Sequence, residues 1–502
     1  MKYIGPFFRM NSLSIEEIKG QLFYLSKEAI KIISLNSKCG ITLSNRNSKK
    51  SSSKNDINIL NDFSPLVCVY KKASPIFIHN KTSRSFDESS FKKDILPSTN
   101  AFMTLSLLEL NNAYSKYTCE NKTISSLKTL YKNLCESQLD FYCENLRNSE
   151  GFFVEKKNIS DNNSKTFNIT DKNKKFNFSD QAFMMDAYYM YSVNYPEDDI
   201  SKDYKSFSLE ILQMFLDFKE ALYNLSFNEL CKILLALNIF FDISQNEDSK
   251  TLLIDLTDFL INKFDEKDYF EDSIESCSLF YIILLDSFKH TDIKSFYEKA
   301  EEISTKLKDL YDDEKFIFLN EINKKEIKYS SLEICFYFLA MLLSYKEKKS
   351  TIQDRNMISN LYKKYFINSP LVLSWPDAPT LDEMERYRGL SLKSKDMLNE
   401  TFFRMPNSLS PTNTGIAPIF SKNITYSLKK NSFRSSKSSF DSSKNIYLFF
   451  MFIYYLKDDV ISYLMPNFDE DDTSNEIEKS PKSEIEVEEL PKLDISKEIE
   501  VK

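Results

Sequence analysis

Ile233-Leu234-Leu235-Ala236-Leu237-Asn238-Ile239-Phe240-Phe241 is the stretch that decides the fold. A helix made of it is apolar on every side, so it is either buried on every side or sits in a membrane. The surrounding run Asn228–Ile243 has companions of the same kind at Ala101–Tyr117, Gln181–Tyr191, Ile274–Phe288, Leu332–Tyr345 and Ile446–Leu456. The last holds the longest apolar run, and as a helix it spans only about 16 Å against the ~30 Å of a bilayer core. It reads as a buried inner helix, stopped by Lys457-Asp458-Asp459.

Each inner candidate alternates with a segment of different character. The outer candidates are Ser125–Leu146, Tyr204–Leu225, Lys250–Phe264, Asp292–Tyr311 and Ile352–Phe366. Leu253, Leu256, Leu260 and Phe264 illustrate their three-and-four spacing, which turns one stripe inward and leaves charge outward. Inner helices recur roughly every 50 residues, with two large insertions, which is the signature of stacked helical hairpins. No outer partner follows Leu456, but the amphipathic segment Ile15–Leu35 supplies one if the ring closes on itself. The expectation is therefore an all-α, (α/α)6 toroid of helical hairpins, with an open solenoid as the alternative.

The connections are lopsided. Inner-to-outer links such as Lys289–Thr291 and Lys346–Thr351 are short. The long ones, Arg147–Asp180, Asp312–Ser330 and Ile367–Asn445, all run from outer to inner, as does Asn36–Asn100 in a closed ring. Every long loop then emerges on one face, and long loops on a rigid scaffold are where function concentrates. The expected organisation is an N-terminal helix with irregular loops over 1–100, the toroid over 101–468 with its insertion at 367–445, and a disordered acidic tail at 469–502.

Composition removes whole classes of function. None of the six glycines sits in a phosphate-binding arrangement, so there is no P-loop or dinucleotide fingerprint. The two histidines, His79 and His290, and eight scattered cysteines without a Cys-x-x-Cys pair predict no metal site and no cofactor. Nothing reads as a disulfide framework or a secretory leader, so a cytoplasmic protein is expected. Cys39 or Cys68 with His79 reads as unrelated residues of one loop region rather than a nucleophile pair. The whole net charge of −8 resides in the tail, so the body is near neutral and neither nucleic acid nor membrane is an expected partner. Two basic, Ser-rich patches, Ser44–Lys54 and Lys429–Lys437, read as linkers. The echo of Phe7-Phe8-Arg9-Met10-Asn11-Ser12-Leu13-Ser14 at Phe402–Ser410 has no physical explanation in the hairpin period.

Glu150-Gly151-Phe152-Phe153 closes an outer helix, and Phe178-Ser179-Asp180-Gln181-Ala182 opens an inner one, with Asp180 or Ser179 as its N-cap. This pairing resembles the pattern of six-hairpin glycosidases and sugar epimerases. The resemblance covers these two motifs and the repeat over Ala101–Leu456. It implies acid and base carboxylates and stacking aromatics at the loop-bearing end, with Asp180 at the matching position. The epimerases also rely on histidines, which this chain nearly lacks. The richest polar cluster, Ser374–Gly389, holds the chain's one tryptophan. Glycoside hydrolysis requires two carboxyls about 5–9.5 Å apart. Asp180 and Asp377 are the candidate catalytic pair, and Trp375, Tyr387, Arg386 and Arg388 the candidate substrate contacts. Glu383 and Glu385 read instead as the acidic start of a short helix capped by Thr380. The functional expectation is a carbohydrate ligand and glycoside hydrolysis. The alternative is a non-catalytic toroid that binds or scaffolds a protein partner through its loop face.

Overall fold

In a computed structural model the chain divides into two units, Met1–Met465 and Pro466–Lys502. The structure describes residues 13–43, 63–78, 85–117, 122–160, 168–173, 175–267, 269–319, 325–347, 351–379, 383, 385, 409, 411–435 and 438–464. The basic patch 44–54, His79, the Phe-Phe-Arg-Met echo, Arg386, Tyr387, Arg388 and the acidic tail lie outside these residues.

The first unit is a closed ring of helix pairs. Its inner helices are Pro97–Ser115, Phe178–Asn194, Phe227–Ser244, Ile274–Thr291, Ser331–Glu347 and Ser442–Leu464. Each packs on the next, and the sixth returns to pack on the first. The outer helices are Lys122–Asn145, Ser201–Asp217, Glu247–Asp265, Lys294–Asp309, Ile352–Tyr362 and, from the N-terminus, Ile15–Leu35. The last packs along the sixth inner helix and completes the ring, so the solenoid alternative falls away. Its start is fixed by a capping box between Ser14 and Glu17. Inner and outer helices differ as their apolar patterns require. Inner residues such as Leu235, Phe280 and Leu339 are fully buried, each contributing about 1.5–3 kcal/mol on burial. Outer helices bury a stripe, for example Phe296, Ala300, Ile303 and Leu307.

Boundaries differ from the sequence reading in several places, three of which bear on the site. The first inner helix begins four residues early, at Pro97, because proline fits the first helical turn. The second begins at Phe178 with Asn177 as its cap residue, so Ser179 and Asp180 are inside its first turn. The sixth runs on to Leu464 rather than stopping at Lys457-Asp458-Asp459. Those charges are tolerated because each has a partner: Lys457 reaches Glu109 at 2.6 Å, Asp458 reaches Lys116 at 2.6 Å, and Asp459 reaches Lys19 at 2.6 Å.

The long connections form small sheets over the N-terminal ends of the inner helices. One joins strands Glu326–Ser330, Asn423–Ser427 and Ser432–Ser435, with the middle strand antiparallel to both neighbours. Part of the second basic patch is therefore a strand rather than a linker, anchored where Phe433 packs on Tyr365 and Tyr426. The two pieces of the Gly-Phe and Asp-Gln-Ala pattern meet in space. Gln181 Oε1 accepts from Phe153 N at 3.0 Å, and its Nε2 donates to Phe153 O at 2.8 Å. Gly151 allows this return of the chain with a left-handed turn at φ +93°. No described helix is long and apolar enough to cross a membrane.

The long insertion does not stay on the decorated face. From Trp375 it passes onto the sixth outer helix, where Tyr24 Oη donates to Asp377 O at 2.8 Å. Glu383 and Glu385 then converge on Lys27 Nζ at 3.4 and 2.5 Å. Lys27 and Glu385 are both buried, and Tyr117 Oη also donates to Glu385 at 3.3 Å. Burial works against the Lys27 charge, but Glu385, Tyr114, Glu28 and Glu383 outweigh it and hold the ammonium protonated. These two glutamates are anchors of the insertion, in place of the helix start expected for them.

Candidate functional site at the axial mouth

The decorated end of the ring axis is bounded by the first turns of the inner helices. The third starts at Phe227 and carries Lys232, the fourth carries Glu275, the fifth starts at Ser331 and the sixth carries Lys444. Ser330 Oγ donates to Glu275 Oε2 at 3.4 Å. Burial raises the Glu275 carboxyl above its ordinary range, opposed by the charges of Lys444 and Lys232. Lys444 belongs to a helix two places around the ring from that of Glu275, so its field reaches the carboxyl across the mouth. Tyr447, one turn below Lys444, also feels the Glu275 charge.

Three hydroxyls at this end have no hydrogen-bond partner among the described residues. They are Tyr447 Oη, Ser331 Oγ beside Ser330, and Ser278 Oγ one turn beyond Glu275. All are buried. A buried hydroxyl left unpaired costs roughly 1–3 kcal/mol. Beneath the mouth the axis is closed by aromatics. Phe102 stacks on Tyr447 at 4.6 Å and meets Phe183 at 4.3 Å and Phe450 at 5.3 Å, while Phe336 meets Tyr447 edge-on at 5.2 Å.

Asp180 lies at the same end but is committed locally. Its Oδ1 accepts from Ser98 N at 2.9 Å, capping the first inner helix, and its Oδ2 accepts from Asn177 at 3.0 Å. Burial raises its carboxyl, and the Ser98 and Asn177 hydrogen bonds pull it back. Asp377 is exposed on the flank of the sixth outer helix. The two are thus held by different elements. Trp375 is nearly buried, 6% exposed, and lines a cleft on the rim of the decorated face. Cys39, just before the strand Gly40–Thr42, and Cys68, on its partner strand, are buried, and burial pushes the Cys68 thiol up to about 12. Sequence reasoning missed Glu275, Lys232, Lys444 and Tyr447. Their signal was available: Glu275 and Lys444 are charges in the first turns of helices that are otherwise apolar.

At the opposite end polar groups are denser and many are paired, although Asn111 Oδ1 and Asn194 Nδ2 have no partner among the described residues. Asp286 accepts from Tyr455 at 2.5 Å, and Asp242 accepts from Tyr454 at 3.3 Å. His290 Nδ1 faces Asn238 Oδ1 at 3.1 Å, and its Nε2 lies 3.7 Å from Asp242. That hydrogen-bonded His290 contact holds the Asp242 carboxyl below its ordinary range. Among the described residues no cluster of histidine, cysteine or carboxylate side chains is arranged to hold a metal ion.

No protein-family model matches the sequence, and no curated protein matches it. Solved structures do. A D-mannose isomerase is 10% identical with a TM-score of 0.52, covering 89% of this chain and 100% of its own. The cellobiose 2-epimerase of Bacillus thermoamylovorans is 9% identical with a TM-score of 0.46, covering 73% and 88%. An endoglucanase of the termite Nasutitermes takasagoensis is 8% identical with a TM-score of 0.44, covering 91% and 99%. The likeness to the D-mannose isomerase is one of fold, an (α/α)6 toroid of six helical hairpins.

Proposed function

We propose that this chain is a carbohydrate-active protein that holds a reducing sugar over the axial mouth and uses Glu275 to move a proton on it. The observation that carries the reading is the coincidence of one elevated carboxyl, two cations and three unpaired buried hydroxyls at the decorated end of the axis. Sugar hydroxyls are donors and acceptors of the kind Tyr447, Ser331 and Ser278 lack. One acid–base carboxyl suffices to pass a proton between adjacent carbons of an aldose, whereas hydrolysis requires a second at fixed separation. Lys232 and Lys444 would stabilise the oxyanion that develops during such a transfer. The toroidal fold shared with a D-mannose isomerase makes mannose the first sugar to try.

The aromatic stack beneath the mouth favours a second reading, a toroid that binds sugar without converting it. One experiment separates them. Full-length protein is incubated with mannose, scored for the ketose isomer, and titrated calorimetrically in parallel. Isomerisation that falls by about 100-fold in Glu275→Gln, with binding largely kept, supports the enzyme. Binding without turnover supports the second reading. Absence of binding in the wild type refutes both.

A further inference from the structure

The sheet formed by Glu326–Ser330, Asn423–Ser427 and Ser432–Ser435 has one apolar and one polar face. Tyr329 and Phe433 lie on the apolar face and pack on Tyr365 of the ring. Side chains alternate along a strand, so the residues between them belong to the other face. In the observed register Lys328 lies opposite Thr425, and Thr425 opposite Arg434. These three form a row across the polar face, with neighbouring strands about 4.8 Å apart. Ser330 stands on the same face, two residues from Lys328 and so about 7 Å along the strand. Its hydroxyl is the one that meets Glu275 at 3.4 Å. The row is therefore on the side by which this sheet touches the axial mouth.

The row is cationic and incompletely partnered. The side chains of Lys328 and Thr425 bond to no described residue, and Lys328 and Arg434 are exposed. Arg434 holds Glu326 at 2.5 Å through one of its nitrogens. Glu326 is the one acid on this face among the described residues. At the short-loop end, by contrast, Lys19, Lys116, Lys346 and Lys457 each have a carboxylate within 2.9 Å. A single unpaired surface lysine is ordinary. An ammonium and a guanidinium flanking a hydroxyl on adjacent strands make a donor set suited to the oxygens of a phosphate. We infer that Lys328, Thr425 and Arg434 bind the phosphate monoester of a phosphorylated sugar whose reducing end lies over Glu275. The sugar half rests on the reading above, and the phosphate row is a separate claim.

Full-length protein is titrated calorimetrically with mannose, mannose 6-phosphate and inorganic phosphate. Mannose 6-phosphate should bind about tenfold more tightly than mannose, an advantage that fades as salt is added. Lys328→Ala should abolish the advantage, and Glu326→Gln, which releases Arg434, should enlarge it. Both positions are exposed, so both variants should fold. Equal affinity for the two sugars, failure of both phosphate probes to bind, or an advantage that survives Lys328→Ala combined with Arg434→Ala overturns the inference. Failure of the mouth reading looks different: mannose does not bind, while inorganic phosphate and mannose 6-phosphate bind equally and through Lys328.

Discussion

The two ends of the ring axis are built from the same helices and differ in how their charged groups are partnered. At the short-loop end, Glu109, Asp242, Asp286 and Asp459 each have a lysine, histidine or tyrosine in reach. At the decorated end, Tyr447, Ser331 and Ser278 have none. A satisfied polar network holds helices together, while a buried polar group left unpaired costs stability. Polar density by itself would have chosen the wrong end. Unpaired hydroxyls beside a carboxyl that burial raises above its ordinary range favour the other.

The largest effect should come from breaking the satisfied end. Lys457→Ala leaves Glu109 buried without its partner and is expected to cost about 3–5 kcal/mol in denaturant unfolding. A loss under 1 kcal/mol would mean that this end is not the structural one. A matched pair sharpens the contrast. Tyr455→Phe removes a donor from Asp286 and should cost about 1–3 kcal/mol, whereas Tyr447→Phe removes a hydroxyl that bonds nothing and should be neutral or mildly stabilising. Equal costs would erase the distinction between the ends.

The pH dependence should separate Glu275 and Asp242 by sign. The folded pKa of Glu275 is raised, so its contribution is fully present below the ordinary value of 4.5 and is lost as pH rises through the folded value. Glu275→Gln should therefore be more stable than wild type at neutral pH and converge with it in acid. The folded pKa of Asp242 is lowered, so its contribution is present above 3.8 and fades as pH falls through the folded value. Asp242→Asn should be less stable at neutral pH and converge in acid. Melting curves across pH 3–8 test both, and matching signs would contradict the assignment. The smallest effect belongs to Asp377→Ala, on an exposed residue outside both ends, which should stay within about 0.5 kcal/mol of wild type.

Much of the ring was legible because burial writes itself into sequence. Inner helices such as Asn228–Ile243 are apolar all round, and Ile15–Leu35 shows the stripe of an outer helix although it lies far from its partner in the chain. What was not legible depends on neighbours brought together by closure. Lys27 reads as an outward charge on an amphipathic helix, yet it is buried under Glu385, 358 residues away. Glu275 reads as an ordinary first-turn acid, and only the approach of Lys444 and Tyr447 from the sixth inner helix distinguishes it. Trp375 was visible as the sole tryptophan, but its place on the rim, apart from Asp180, was set by the path of the insertion down the flank.

The most direct test of the central claim is a crystal structure of the full chain grown with mannose. The sugar should lie over the axial mouth with hydroxyls in hydrogen-bond reach of Tyr447 Oη and Ser331 Oγ and close to Glu275. A mouth whose hydroxyls are satisfied by ordered water alone, or a sugar seated among Asp242, Asp286 and His290, would contradict it.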